Sequence, residues 1–98
     1  MAKVHVSRMT TTTGPVPTYT AKGVVSEVVT SSGTSDATTL ACTANNQTFV
    51  VTAVDGPILV TIAETPVASA TNSVAVCSGE TKVFGSLSPG DKVAVIDA

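Results

Sequence analysis

Aromatic side chains are nearly absent from this 98-residue chain. They make up 3% of its residues, tryptophan is missing, and the 43% of hydrophobic residues are mostly valine and alanine. Aromatic residues normally supply much of the buried area of a small core. A domain built without them is marginal as a monomer, so we expect it to bury further surface against copies of itself or against a larger scaffold.

Charge is also scarce. Charged residues make up 12% of the chain, the net charge is −2, and the five cations are scattered along the sequence: Lys3, Arg8, Lys22, Lys82 and Lys92. A nucleic-acid-binding domain needs a dense basic face to displace counterions, so we expect no nucleic-acid partner. The exterior must then be largely serine and threonine, which is more typical of secreted or virion proteins than of cytosolic enzymes.

Long hydrophobic runs are missing as well. No stretch approaches the roughly 20 apolar residues of a membrane-spanning helix, and no membrane partner is expected. The start of the chain, MAKVHVSRM, carries charge but no following apolar run, so no signal peptide is predicted.

The two cysteines, Cys42 and Cys77, lie far apart and lack metal-ligand spacing. Two buried thiols are favoured, and a disulfide remains open if the strands near 38–44 and 72–77 pair.

Residues that could perform chemistry are few. His5 is the only histidine, and its alternation with valines places it on the solvent face of a first strand. The carboxylates mostly sit at turns, and neither a calcium-binding run nor a glycine-rich phosphate loop occurs. We therefore expect no enzyme activity, no cofactor, no metal and no catalytic residue.

Strand-type alternation recurs along the chain while helical periodicity is missing. Residues 48–54 are apolar on both faces and predict a central strand. The remaining predicted strands lie near 4–6, 24–29, 38–43, 58–63, 72–77, 80–84 and 93–96. Short strands with turns between them predict an all-β fold, a small antiparallel β-sandwich or barrel of jelly-roll-like type.

Turn chemistry separates these strands. Asn45-Asn46, Asp55-Gly56 and Ser78-Gly79 are predicted to link neighbouring strands tightly. Residues 88–91 (SPGD) predict a type II turn, with proline second and glycine third.

Residues 9–20 (MTTTTGPVPTYT) show no amphipathic pattern, and each proline keeps its predecessor extended. Two interpretations stay open. The segment is either a linker between an edge strand and the body, or part of an extended arm that orders on a partner. The chain is accordingly divided into an N-terminal strand or arm, 1–20, and a sandwich or barrel body, 21–98.

Residues 56–98 contain a series of short motifs: 66–71 (PVASAT), 78–81 (SGET), Phe84 and 89–95 (PGDKVAV). In these motifs the carboxy-terminal part resembles small virion accessory proteins of tailed bacteriophages, of the head decoration, or cement, type. The resemblance covers less than half of the chain.

The resemblance implies a β-rich homotrimer on the capsid exterior, made in the host bacterial cytoplasm, whose partners are its own copies and the major capsid protein. Residues 3–8 would pair with a capsid strand edge, and deletion of 1–17 would leave a folded body unable to bind capsids. The candidate capsid contacts are Lys3, Val4, His5, Val6, Arg8 and Tyr19. One alternative is a tail, collar or fibre component. A less favoured alternative, because exposed aromatic residues are lacking, is a carbohydrate- or surface-binding module. In that case Tyr19 is either a contact or an anchor that holds the segment where it returns to the sheet.

Overall fold

The computed structural model describes residues 2–11, 19–44, 47–85 and 87–98, with side chains for all of these except 11 and 19–23. These residues form eight β-strands. Their bounds are β1 (Lys3–Thr11), β2 (Tyr19–Thr30), β3 (Asp36–Ala41), β4 (Gln47–Ala53), β5 (Ile58–Ala63), β6 (Val74–Val76), β7 (Thr81–Phe84) and β8 (Lys92–Asp97).

The strands form two four-stranded antiparallel sheets. Sheet A has the order β2-β1-β4-β7, and sheet B has the order β3-β8-β5-β6. The predicted all-β class is confirmed, and the two separate sheets make the fold a small β-sandwich. Residues 48–54, predicted to be central, form β4 between β1 and β7.

The core lies between the sheets because alternate residues of each strand point inward. Among the described side chains, Phe49 is the only aromatic one that is fully buried in it. Its other fully buried members are β-branched or smaller: Val4, Val6, Val51, Ala53, Ile58, Val60, Val76, Val93 and Val95. The packing therefore matches the composition, with one large side chain among many small ones.

Most connections cross between the sheets, which corrects the tight turns predicted from sequence. Asp55-Gly56 leads from β4 in sheet A to β5 in sheet B, and Ser78-Gly79 leads from β6 in sheet B to β7 in sheet A. Strands β3 and β4 also belong to different sheets, while Asn45-Asn46 lies outside the described residues. Glycine and aspartate suit a turn of either kind, so their presence does not say which strands pair.

The predicted turn at 88–91 is confirmed. Gly90 has a φ of 99° at the third position, and the Asp91 N–H donates to the carbonyl of Ser88 at 3.1 Å. A type II turn requires this left-handed conformation, which glycine adopts without strain. The turn also joins β8 to Cys42, whose N–H donates to the Asp91 carbonyl at 2.8 Å.

Both cysteines are free, and only one is buried. Cys42 is buried, but Cys77 is exposed just beyond β6, where Val76 takes the inward position. The prediction of two buried thiols is therefore wrong for Cys77. Strands β3 and β6 lie at opposite edges of sheet B, so the pairing that a disulfide required does not occur.

The loop 64–73 crosses part of the outer face of sheet B. Its Ala68 N–H donates to the Ser35 hydroxyl at 2.8 Å, beyond the far edge of that sheet. Pro66 and Ala68 are buried in the loop. Ala94 lies outside the core, between the inward-facing Val93 and Val95, and is nevertheless fully buried. The loop accounts for that burial because its path from β5 to the start of β3 crosses β8.

A buried serine joins the first residues of β1 to the end of β8. The Ser31 hydroxyl accepts a hydrogen bond from the Ala2 N–H at 2.8 Å and donates to the Asp97 carboxylate at 2.5 Å. This bond from Ser31 is the main reason that the pKa of Asp97 lies below its ordinary value of 3.8.

We expect Phe49→Ala to destabilise the fold by about 3–5 kcal/mol, because it opens a cavity beside small side chains that cannot fill it. Urea unfolding monitored by circular dichroism measures the change. Val28→Ala, at an exposed valine of the same sheet, is the control and should shift stability by no more than about 0.5 kcal/mol. A loss below about 1 kcal/mol for Phe49→Ala would show that the core relaxes around the gap.

The lowered pKa of Asp97 predicts a pH dependence of stability. The folded state holds the carboxylate charged, so Asp97 stabilises the fold at neutral pH, and this contribution is lost as pH falls through the folded pKa, below 3.8. Asp97→Asn should therefore be less stable than the wild type at neutral pH, with a gap that narrows under acid. Urea unfolding over a pH series tests this, with Glu64→Gln as the exposed control; a gap that stays constant with pH would contradict it.

Candidate functional site

The outer face of sheet A is formed by alternate residues of its four strands, and all of the members named next are exposed or half-buried except Ser7, which is 5% exposed. The register of the sheet places one set of side chains on it: Lys3, His5, Ser7, Ser26, Val28, Thr30, Val50, Thr52, Thr81 and Val83. We refer to this set as the open face. It arises because Val4, Val6, Val51 and Ala53 occupy the alternate positions and turn to the core.

Hydroxyl pairs across neighbouring strands hold the open face in order. The Thr52 and Thr81 hydroxyls lie 2.7 Å apart, and those of Ser7 and Ser26 lie 2.9 Å apart. Such cross-strand pairs stabilise the sheet and orient the side chains that form them. The face therefore combines ordered hydroxyl groups with the side chains of Val28, Val50 and Val83.

Two exposed valines and two exposed basic side chains lie on the open face. Val28 is 63% exposed and Val83 is 46% exposed, on the two edge strands. Lys3 and His5 are both exposed on β1 between them. No carboxylate belongs to the open face as defined here, although the exposed Asp55 carboxylate accepts a hydrogen bond from the Lys3 N–H at 2.6 Å beside it.

Of the six candidate contacts proposed from sequence, Lys3 and His5 lie on this face. Val4 and Val6 do not: both are 0% exposed and pack in the core, so a contact through either is ruled out in the folded chain. The alternation that placed His5 outward buries its two neighbours for the same reason.

Arg8 points toward sheet B instead of outward. Its guanidinium donates to the carbonyl of Ala41 at 2.7 Å, and the side chain is half-buried. Tyr19 begins β2 opposite Thr11, and its side chain lies outside the described ones. Arg8 therefore joins the two sheets, and the contact proposed for Tyr19 stays a prediction.

Strand β1 is a central strand, so residues 3–8 form neither the edge strand nor the free arm that the sequence predicted. It pairs with β2 on one edge and with β4 on the other. Residues 3–8 thus have no free edge with which to add to a capsid sheet, and deletion of 1–17 would remove two core valines together with the middle of sheet A. The part of the segment at 12–18 lies outside the described residues.

A carboxylate joins the two sheets by hydrogen bonds on the side of the sandwich where β2 and β3 lie next to each other. Glu27 of β2 accepts hydrogen bonds from the N–H of Thr39 at 3.1 Å, the N–H of Leu40 at 3.0 Å and the Thr39 hydroxyl at 2.8 Å. These are charge-assisted bonds, which are stronger than neutral ones. Glu27 thereby occupies backbone donors of β3 that an incoming strand would need.

An ammonium group joins the opposite edges. Lys82 of β7 donates from its Nζ to the carbonyl of Ala75 in β6 at 2.7 Å. Both edge strands of sheet A therefore carry an inward-turned charge, a feature that disfavours edge-to-edge pairing of sheets. Contact through the open face is favoured over contact through the edges of sheet A.

Comparison with models of protein families, with curated proteins and with solved structures finds no match. Among the residues that the structure describes, no three His, Cys, Asp or Glu side chains are grouped so that they could hold a metal ion. No helix formed by the described residues is long and apolar enough to cross a membrane.

Sequence reasoning missed Val28, Thr52 and Thr81 as members of the same surface as His5. Alternation within each strand gives the face of each residue, but only the register of β1 with β2 and β4, and of β4 with β7, brings the three beside the histidine. Cross-strand neighbours far apart in sequence leave no local signal.

We expect Glu27→Ala to destabilise the fold by about 1–3 kcal/mol, because two N–H donors of β3 lose their acceptor. Glu64→Ala, at an exposed glutamate, is the matched control and should be near neutral. Urea unfolding gives both values, and hydrogen exchange should show faster exchange of the Thr39 and Leu40 amides in the first variant alone. Equal stability of the two variants would contradict the role assigned to Glu27.

Proposed function

We propose that this chain is a structural virion protein that binds the outside of a bacteriophage capsid and stabilises it as a decoration protein. The observation that carries the proposal is the open face, on which paired hydroxyl groups lie beside exposed valines and two basic side chains. The resemblance of residues 66–95 to small phage virion proteins supplies the class of partner.

The contact is made by the open face and not by an arm. Basic side chains and a hydroxyl-rich surface suit a hydrated protein interface, in which ordered water bridges polar groups. Lys3 and His5 favour an acidic patch on the shell, because complementary charge guides the encounter and fixes its orientation. The major capsid protein is the partner that such a surface would meet.

Assembly as a homotrimer is part of the same proposal. Six valines are exposed in the described chain: Val25, Val28, Val54, Val67, Val74 and Val83. A chain with so light a core gains stability from covering some of them against copies of itself. Three linked subunits also turn weak single contacts into durable attachment, because the second and third contacts form intramolecularly.

A trimer that bridges neighbouring capsid subunits would strengthen the shell. A trimer that contacts neighbouring capsid subunits adds binding energy that must be lost before those subunits separate. Internal pressure from packaged DNA acts against that energy, so a rigid sandwich serves this purpose better than a flexible chain.

Val28→Asp tests the contact surface, because it adds a carboxylate to the open face at a site that is already 63% exposed. Val67→Asp is the matched control at 64% exposure in the loop over sheet B. We expect the first variant to lose at least about tenfold in affinity for undecorated capsids, about 1.4 kcal/mol, while the second binds like the wild type. Co-sedimentation with capsids measures both, and equal binding by the two variants would contradict the proposed face.

The copy number of this chain in purified particles distinguishes a head decoration protein from a tail component. Quantitative mass spectrometry of purified particles should give hundreds of copies for a decoration protein, and a dozen or fewer would assign the chain to the tail, collar or fibre. Sedimentation of the isolated protein should give three times the 9.8 kDa chain mass. A stable 9.8 kDa monomer without affinity for capsids would refute the proposal.

A further inference from the structure

A groove opens on the side of the sandwich where β6 and β7 form the edges of their sheets. Its volume is about 380 Å³. Six of its ten lining residues have large apolar side chains, while polar atoms make up more of its exposed lining than apolar atoms do. The full set of lining residues is Val60, Thr61, Ile62, Asn72, Val74, Val83, Phe84, Gly85, Leu87 and Asp91. It lies on the opposite side from the contact between Glu27 and β3.

One wall of the groove is a strand edge that lacks a neighbour. Strand β6 pairs with Ile58, Leu59 and Val60, whereas β8 pairs with all six residues of β5. Within the described ranges, no strand pairs with the groove side of residues 61–63. Backbone N–H and C=O groups on such an edge form ready hydrogen-bonding sites for an extended chain.

The side chains beside this edge suit apolar partners. Val60 is fully buried at the floor, Leu87 is 6% exposed, and Ile62 and Phe84 are partly buried against the core. Residues of an extended peptide alternate between two faces, so every second side chain of an added strand would meet this floor.

One end of the groove is acidic. Asp91 is the only charged residue among the described lining residues. Glu64 lies nearby, since its side-chain carbons come within 3.6 Å of the position that a Cβ on Gly90 would take. A cationic side chain at one end of the occupant would match this charge.

The groove walls are held in place by hydrogen bonds. The Asn72 side chain donates to the Val67 carbonyl at 2.8 Å and accepts from the Ser69 N–H at 2.9 Å. Lys82 spans the gap between the sheets by its bond to Ala75. A preformed slot costs little ordering on binding.

We propose that this groove binds an extended segment of a partner polypeptide, which adds as a strand beside residues 61–63 of β5. The segment carries apolar side chains at alternate positions and a lysine or arginine at the end near Asp91. Main-chain hydrogen bonds supply affinity, and the apolar floor supplies specificity, as in other cases of strand addition. The groove shares Val83 with the open face, but the inference does not depend on the proposed virion role.

A peptide titration tests the inference. The probe is the hexapeptide acetyl-Lys-Val-Thr-Val-Thr-Val-amide, added to the ¹⁵N-labelled full chain. We expect saturable shifts of the amides of residues 61–63, 74 and 83–85 in heteronuclear NMR spectra. The same peptide with alternate backbone nitrogens methylated has lost the required donors and should bind at least about tenfold more weakly, a difference of about 1.4 kcal/mol.

Two variants place a large cation in the groove. Val74→Arg replaces a valine that is 46% exposed at the groove, and Gly85→Arg provides a second obstruction at a position where an added Cβ meets only Thr48, at 3.9 Å. Both should abolish the shifts, while Val67→Arg, outside the groove, should keep them. Dispersed spectra of each variant confirm that it is folded.

Three results would overturn the proposal. One is the absence of shifts at the groove with millimolar peptide. Another is equal binding of the methylated and unmethylated peptides, or unchanged binding in both groove variants. The last is saturable binding of a small apolar alcohol, 2-methyl-2,4-pentanediol, without peptide binding, which would make the groove a small-molecule site. None of these results bears on capsid binding by the open face.

Discussion

The rest of the structure depends on the small size of the side chains that pack between its two sheets. A single buried phenylalanine and a set of valines and alanines fill the space, so the gain from apolar burial is modest for a chain of this length. Polar groups that reach from one sheet to the other make up part of the difference. Arg8 bonds to Ala41, Glu27 bonds to the backbone of β3, and Lys82 bonds to Ala75.

These three bonds also divide the surface into regions with different roles. The side with Glu27 is closed, because the carboxylate occupies the backbone donors of β3. The side with Lys82 is spanned at one point and leaves a groove beside it. The open face of sheet A carries hydroxyl pairs between neighbouring strands and no bond to sheet B. The two surfaces proposed for interaction therefore differ in how the surrounding bonds shape them.

Local features of the sequence predicted local features of the structure. The alternation at 58–63 and 93–96 gave β5 and β8, and SPGD gave the type II turn, because each depends on residues within one short segment. Long-range pairing could not be predicted in this way. Asp55-Gly56 is compatible with a hairpin or with a crossover, and the prolines at 15 and 17 made the preceding segment resemble an arm although β1 lies in the middle of a sheet. The prediction that Cys77 is buried was wrong for a related reason. Cys77 lies one position beyond the end of β6, and the sequence does not show where that strand ends.

The two broad sides of the sandwich are not equivalent. The loop 64–73 crosses the outer face of sheet B, where the Ala68 N–H bonds to Ser35 and Ala94 is fully buried, whereas the outer face of sheet A exposes Val28 and Val83. Because its two broad sides differ in this way, the sandwich can attach to a support in a single orientation. An affinity tag inserted beside Val67 would then project into the surrounding medium, which makes this loop the natural position for displaying foreign sequences.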